Sequence, residues 1–306
     1  MRRIIRIAAV SLAVGVTTAT VPSASGRALF WGETGHRITG RLAAEALPAD
    51  MPAFFRMATA QLEYLNPEPD RWRSRDEMLA DPALNNATQF DHYVDMEQVP
   101  PGALRASSRF AYLDSVKAAG FATPAVGTLP FRIVELTQRL RVEFRLWRAE
   151  TNTDNKRFIE QRIVNDAGIL GHYVADGSNP HHTTIHHDGW VGDNPRGYTA
   201  GHGFHSRFET VYVQAQITGG DVRPFVKAPA QTVNDVRGGT VAYLTRTHDQ
   251  LTRLYDLDKA EPFSPTNTNA EHKRFTEERL AAGVEMLRDL WWTAWVTSGM
   301  EVKKDR

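Results

Sequence analysis

Between Asp154 and Ala175 the apolar residues Phe158, Ile163, Val164, Ala167, Leu170, Tyr173 and Val174 recur at helical intervals, and His172 and Asp176 close the same register one turn apart. This stripe constrains the chain most: it calls for a long helix that buries one face and carries a histidine and a carboxylate at its end. Asp154 is placed to cap its start. A second amphipathic helix is expected from about Leu129 to Trp147, where Ile133, Val134, Leu136, Leu140, Phe144 and Trp147 share a face. Thr39 to Leu47 and Met51 to Leu65 carry the same spacing, divided by Pro48 and Pro52. Another helix is expected to begin near Phe204, and a last one to run from about Asn269 to Thr297 and stop at Gly299. Asn66 to Thr88 reads as a loop rich in Pro, Asp and Asn, Phe90 to Met96 fits no single type, and Gly177 to Gly203 reads as a Gly/Pro/His-rich loop too polar for a core. Strand signals are sparse, and neither a repeat nor a linker stands out. The expected fold is mainly α, one helical bundle over residues 31–306.

Composition narrows the chemistry. Lys+Arg and Asp+Glu stand at 36 each, so no global field draws polyanions or acidic membranes, and any phosphate recognition must be local. The absence of cysteine excludes disulfides, thiolate metal sites and a cysteine nucleophile. A metal must therefore sit on imidazole and oxygen, and of the 11 histidines, those at 172, 181, 182, 186, 187, 202 and 205 crowd one short stretch. At the N-terminus, Arg2, Arg3 and Arg6 precede the apolar run Ile7 to Val16 and the small residues Ala24, Ser25 and Gly26, the pattern of a secretory signal ending between residues 26 and 30. The run is shorter than the roughly 20 apolar residues a span needs, so the expectation is an exported protein, periplasmic or secreted, with no transmembrane segment in its mature form. A short N-terminal membrane anchor is the alternative reading.

His172/Asp176 is one His-x-x-x-acid pair and His205/Glu209, at the start of another helix, is a second; His182 lies between them after Pro180. One such pair alone is an ordinary surface ion pair. Two on neighbouring helices, with a histidine between, converge on a metal centre as in helical bundles. The histidine excess favours zinc over iron or manganese in a carboxylate-bridged dinuclear site.

HYVADGSNPHH, from His172 to His182, and GFHSRFE, from Gly203 to Glu209, resemble the signatures of bacterial zinc-dependent phospholipases C, and WGETGH, from Trp31 to His36, resembles the mature N-terminus of the related single-strand nucleases of the S-one/P-one kind. The ordered resemblance runs from Trp31 to Glu209. It implies a trinuclear zinc site. Asp70, in PEPDRW, and His92, in DHYVD, would complete one zinc site with His172 and Asp176; His182, His205 and Glu209 would hold a second; Trp31, through its free amine and carbonyl, and His36 would hold a third, with Asp176 bridging. Two positions depart from the pattern, Ala175 and Gly177, and neither is a ligand. Chelation by the Trp31 amine requires cleavage after Phe30, whereas the small residues favour cleavage after Gly26.

The implied activity is zinc-dependent hydrolysis of a phosphodiester, with Asp70 orienting the attacking water or taking its proton. Phospholipid and single-stranded nucleic acid are the two substrate classes. Glu209, where the nucleases carry Asp, leans the reading to a phospholipase C, and the Trp31 to His36 spacing leans it to a nuclease or 3'-nucleotidase. A zinc store without catalysis is the alternative from another class, and no obligate protein partner is expected. Of the remaining candidates, His181, His186 and His187 read as exposed loop residues able to replace His182 if the register differs, and His202 as a pocket or turn residue. His248 and His272 read as surface. Trp190 and Tyr198 are placed to stack on a substrate or to pack the loop, and Trp291, Trp292 and Trp295 read as core.

Overall fold

The structure, a computed structural model, describes residues 32–301. Among them the regular structure is helical, and strand-like pairing is confined to one isolated bridge between His187 and Gly189. The helices of ten residues or more are α1 (Gly32–Glu45), α2 (Arg109–Ala118), α3 (Leu129–Ala149), α4 (Thr153–Asp176), α5 (Val236–His248), α6 (Leu251–Ala260) and α7 (Ala270–Ser298). The leader read over residues 1–30, and Trp31, lie outside the described residues. No helix among those described is long and apolar enough to cross a membrane.

The centre of the bundle is α4, packed against α1, α3 and α7. Its apolar stripe is buried from Ile163 onward, whereas Phe158, expected on the same buried face, is 66% exposed; burial becomes continuous from Asp166 to Asp176, so the helix enters the core with its C-terminal half. Its cap is Asn152 rather than Asp154: the Asn152 side chain accepts from the Asp154 and Asn155 amides. Two glycines set how closely neighbours approach α4. A Cβ at Gly168 would stand 2.3 Å from the Leu65 Cβ, and one at Gly171 would stand 2.4 Å from the Asn66 Nδ2, so the helix Thr59–Leu65 and the residue after it lie directly on the α4 backbone. On the other side, buried Trp291 of α7 meets Phe55 edge to face at 5.4 Å and donates its indole N–H to the Ala167 carbonyl at 3.2 Å. Trp292 and Trp295 are partly buried against the same core.

The segment expected as one helix from Met51 to Leu65 is broken into Ala53–Arg56 and Thr59–Leu65, and the loop expected from Asn66 to Thr88 is folded into the short helices Glu68–Arg71, Arg75–Ala80 and Ala83–Thr88. The prolines and aspartates there start helical turns as well as ending them: Pro69 sits at a helix N-terminus, and the Ser74 hydroxyl caps the next. Near Phe204 the chain forms one α-turn, Phe204–Ser206, then a π-helical run, Arg207–Tyr212, and returns to α over Val213–Gln216. Such widened turns are common where a helix serves a site.

The stretch read as a loop from residue 177 to 203 is not uniformly outside the core. Residues 178–184 are buried, including the turn Pro180–Thr183, and several of their polar groups find partners in the protein. The Ser178 hydroxyl donates to the Ala175 carbonyl at 2.8 Å, the Thr183 hydroxyl to that of Pro180 at 2.8 Å, and Glu97 accepts from the Thr184 hydroxyl and the Ile185 amide.

Candidate metal centre

Five histidines and three carboxylates meet where the C-terminal end of α4 faces α1, the segment around His92, the buried turn after α4 and the π-helical run. They form three groups whose ligand atoms lie within 4.8 Å of one another: His36, Asp70 and His172; His92, His172 and Asp176; His182, His205 and Glu209. His172 belongs to two groups. Asp176 reaches both sides, its Oδ2 standing 3.1 Å from His92 Nδ1 and 3.3 Å from His172 Nε2, and its Oδ1 3.5 Å from His36 Nε2 and 3.8 Å from His182 Nδ1. Asp70 also spans two neighbours, with Oδ1 at 3.6 Å from His172 and Oδ2 at 3.8 Å from His36. Every residue proposed from the sequence as a ligand, Trp31 apart, is therefore in this cluster, and Asp70 stands as close to His36 as to His92.

Local bonds fix which nitrogen each ring presents. The Nδ1 of His172 lies 3.0 Å from the Asn66 carbonyl and that of His182 2.7 Å from the His92 carbonyl. A carbonyl only accepts, so both rings carry their proton on Nδ1 and turn an Nε2 lone pair inward. The His92 and His182 segments are held together twice, because the Val94 amide also donates to the His182 carbonyl at 2.9 Å. The inward nitrogens stand close together: His172 Nε2 is 3.0 Å from His92 Nδ1, and His182 Nε2 is 3.1 Å from His205 Nε2. Buried His36 Nε2, His92 Nε2, Asp70 Oδ1 and Asp176 Oδ1 have no hydrogen-bond partner. Buried acceptors facing one another in this way fit a divalent cation between them.

The electrostatics agree. Burial opposes ionisation of Asp176, yet His172 and His182 hold its carboxyl well below the usual range, and His205 and His182 hold Glu209 down to about 2 against the same burial. Ionised carboxylates need positive charge beside them. Without a metal it must come from protons: burial lowers His182 and Asp176 outweighs it, leaving the ring at about 9, and His172 is raised by Asp176 and Asp70. His36 and His92 lie at about 3, driven down first by burial and, for His36, next by His172. Asp70 stands apart: burial, with Asp176 behind it, lifts it to about 7, and its side chain keeps 14% of its surface open while the rings around it keep 0–3%.

The other histidines divide. His181 is not an exposed loop residue but is buried, edge-on to Phe204 at 4.7 Å and Phe208 at 5.6 Å. The turn that points His182 inward puts its neighbour into the aromatic core. His272 is likewise buried, within 3.0 Å of the Leu257 carbonyl and 2.8 Å of that of Glu261. His187 is exposed, and His202 is 97% exposed beside Asp188. His248 is half-buried and lies 2.9 Å from the Thr183 carbonyl. Trp190 and Tyr198 pack the loop, with Trp190 stacked on His186 at 3.9 Å and both rings against Tyr255.

Two buried asparagines serve the centre without having been singled out in the sequence. Asn66 bonds His36 and His172, and Asn179 donates to Glu209 Oε2 at 3.0 Å while its own Oδ1 accepts from the His181 amide. Only the Asn179-Pro180 dipeptide carried a signal, as a turn. No protein-family model matches this chain, and no curated protein matches it either.

Proposed function

We propose that this chain is a zinc-dependent phosphodiester hydrolase with a trinuclear zinc centre, and that its substrate is a phospholipid. The observation that carries the reading is the convergence of three histidine/carboxylate groups on one another, with a single partly open carboxylate, Asp70, at their edge. His92, His172, Asp176 and Asp70 would hold one zinc, His182, His205 and Glu209 a second, and His36 with Trp31 a third. Five imidazoles with three carboxylates suit zinc, and the all-oxygen preference of magnesium or calcium does not fit them. Bound zinc supplies Lewis-acid polarisation of the phosphoryl oxygens and lowers the pKa of water.

The chain's own residues do the rest. Asp70, the one carboxylate of the centre whose side chain keeps part of its surface open, stands where a water can reach it. It would take the proton of the water whose oxygen attacks phosphorus, while the ester P–O bond breaks and the leaving oxygen takes up a proton from solvent to depart as the alcohol. Asp176, buried and flanked by four rings, stays ionised and holds the groups together. Glu209 in place of Asp at the second acid supports a phospholipid, following the resemblance of GFHSRFE to the phospholipases C.

The test is metal analysis of the purified protein, then parallel assays on phosphatidylcholine and single-stranded DNA. About three zincs with release of the phosphorylated headgroup is the expected result, and Asp70→Asn should lose most turnover while keeping most of the metal. Cleavage of DNA alone would move the reading to the nuclease. Zinc binding with neither activity would leave a zinc store in its place, and a fully active Asp70→Asn would take the proton-accepting role away from Asp70.

A further inference from the structure

We infer that Asn66 is a positioning residue that aims two histidines, His36 on α1 and His172 on α4, at the same centre, and that its side-chain oxygen sets the zinc affinity of the position His36 serves. The inference rests on the metal reading above. Its basis is geometric. Asn66 ends the helix Thr59–Leu65 and is fully buried. Its side-chain Oδ1 lies 3.0 Å from His36 Nδ1 and its main-chain carbonyl 3.0 Å from His172 Nδ1. The two rings it holds are stacked, centroids 4.1 Å apart and planes 11° from parallel, so both Nε2 atoms face Asp176, at 3.5 and 3.3 Å.

Room for this residue is built into both helices. A Cβ at Gly40 of α1 would stand 3.0 Å from Asn66 Nδ2, and one at Gly171 of α4 would stand 2.4 Å from it. That same Nδ2 is buried with no partner. A purely packing role has no use for an amide here, since an orphaned buried donor is a cost that leucine would avoid. The amide is needed for its oxygen. An acceptor at His36 Nδ1 keeps the proton there and leaves Nε2 free to ligate, whereas without one the proton is free to move to Nε2 and block it. His172 differs, because its acceptor is main chain and survives any substitution at position 66.

The experiment uses the full chain, zinc titration against a chromophoric chelator, and ring-nitrogen NMR of the histidines in metal-free protein. In Asn66→Leu the expected result is zinc affinity lower by about 10–100-fold at the weakened position, the size typical of losing an outer-shell partner. His36 should lose its preference for the Nδ1–H tautomer while His172 keeps it. Asn66→Asp retains an acceptor at the same place and should bind zinc at least as tightly as the native chain with His36 unchanged. Zinc affinity and His36 tautomer both unaltered in Asn66→Leu would overturn the inference. If that variant does not fold, a folded Asn66→Asp that keeps the Nδ1–H tautomer yet binds zinc tenfold more weakly would overturn it as well. A native chain that binds no zinc at all would instead remove the metal reading beneath it.

Discussion

Replacing His205 by Ala removes one ligand from the group His182, His205 and Glu209 and leaves the other two groups whole, since His205 contacts neither. Each occupied site stabilises the folded chain by RT ln(1 + [Zn]/Kd), about 2.7 kcal/mol when free zinc is a hundredfold above Kd. An unfolding entropy of about 2.1 cal/mol/K per residue gives about 0.6 kcal/mol/K for 306 residues. Saturating zinc should therefore raise the melting temperature by about 4 °C per site, or about 12 °C for three. His205→Ala should cut that increment by about one third. The relevant quantity is the difference between zinc-loaded and metal-free protein for each variant, because the substitution also strips Glu209 of a partner at 2.9 Å and lowers the metal-free baseline. Differential scanning calorimetry with and without a chelator measures it. A melting temperature indifferent to zinc in the native chain, or an unchanged increment in His205→Ala, would refute the reasoning.

Away from the centre, α3 and α4 meet through buried Glu143 and Asp166, held by Arg162 Nε at 3.1 Å from Glu143 and Arg139 Nε at 2.5 Å from Asp166. Burial first, and then the Asp166 charge, pushes Glu143 up to about 7, so the folded state holds a proton that the unfolded chain releases near 4.5. That contribution is complete below 4.5 and is lost as pH rises through 7; Glu143→Gln, neutral throughout, should gain stability relative to the native chain over that interval in urea melts at several pH values, and a constant difference would contradict it. Trp291→Ala should cost about 3–5 kcal/mol, which is about 5–8 °C in the same calorimeter, by emptying a core position and freeing the Ala167 carbonyl; a loss under 1 °C would show that the indole is not buried as described.

How much of this was legible beforehand depended on sequence distance. His172/Asp176 and His205/Glu209 could be paired from spacing, because a turn of 3.6 residues brings i and i+4 together whatever surrounds them. The resemblance to zinc phospholipases C and the related single-strand nucleases supplied Asp70, His92 and His36, which no local rule could. The errors fell where tertiary bonds override composition. Residues 178–184 read as solvent loop, yet they are buried, with Glu97 and Glu209 from other segments accepting from Thr184 and Asn179. His181 and His272 looked exposed because their neighbours in sequence are polar, and they are buried because their neighbours in space are Phe204, Phe208 and Phe263.

By itself the sequence determined the helical class, the two His-x-x-x-acid pairs and the restriction of any metal to nitrogen and oxygen ligands, since periodicity and side-chain inventory are properties of the chain before it folds. Tertiary structure alone decided that Asp176 and Asp70 each face two groups, and that one asparagine orients two rings. Those contacts span 84 positions between His92 and Asp176 and 106 between Asn66 and His172. The second has room because Gly168 and Gly171 let the Leu65–Asn66 segment lie against the α4 backbone, an approach set by packing between distant segments that no local pattern records.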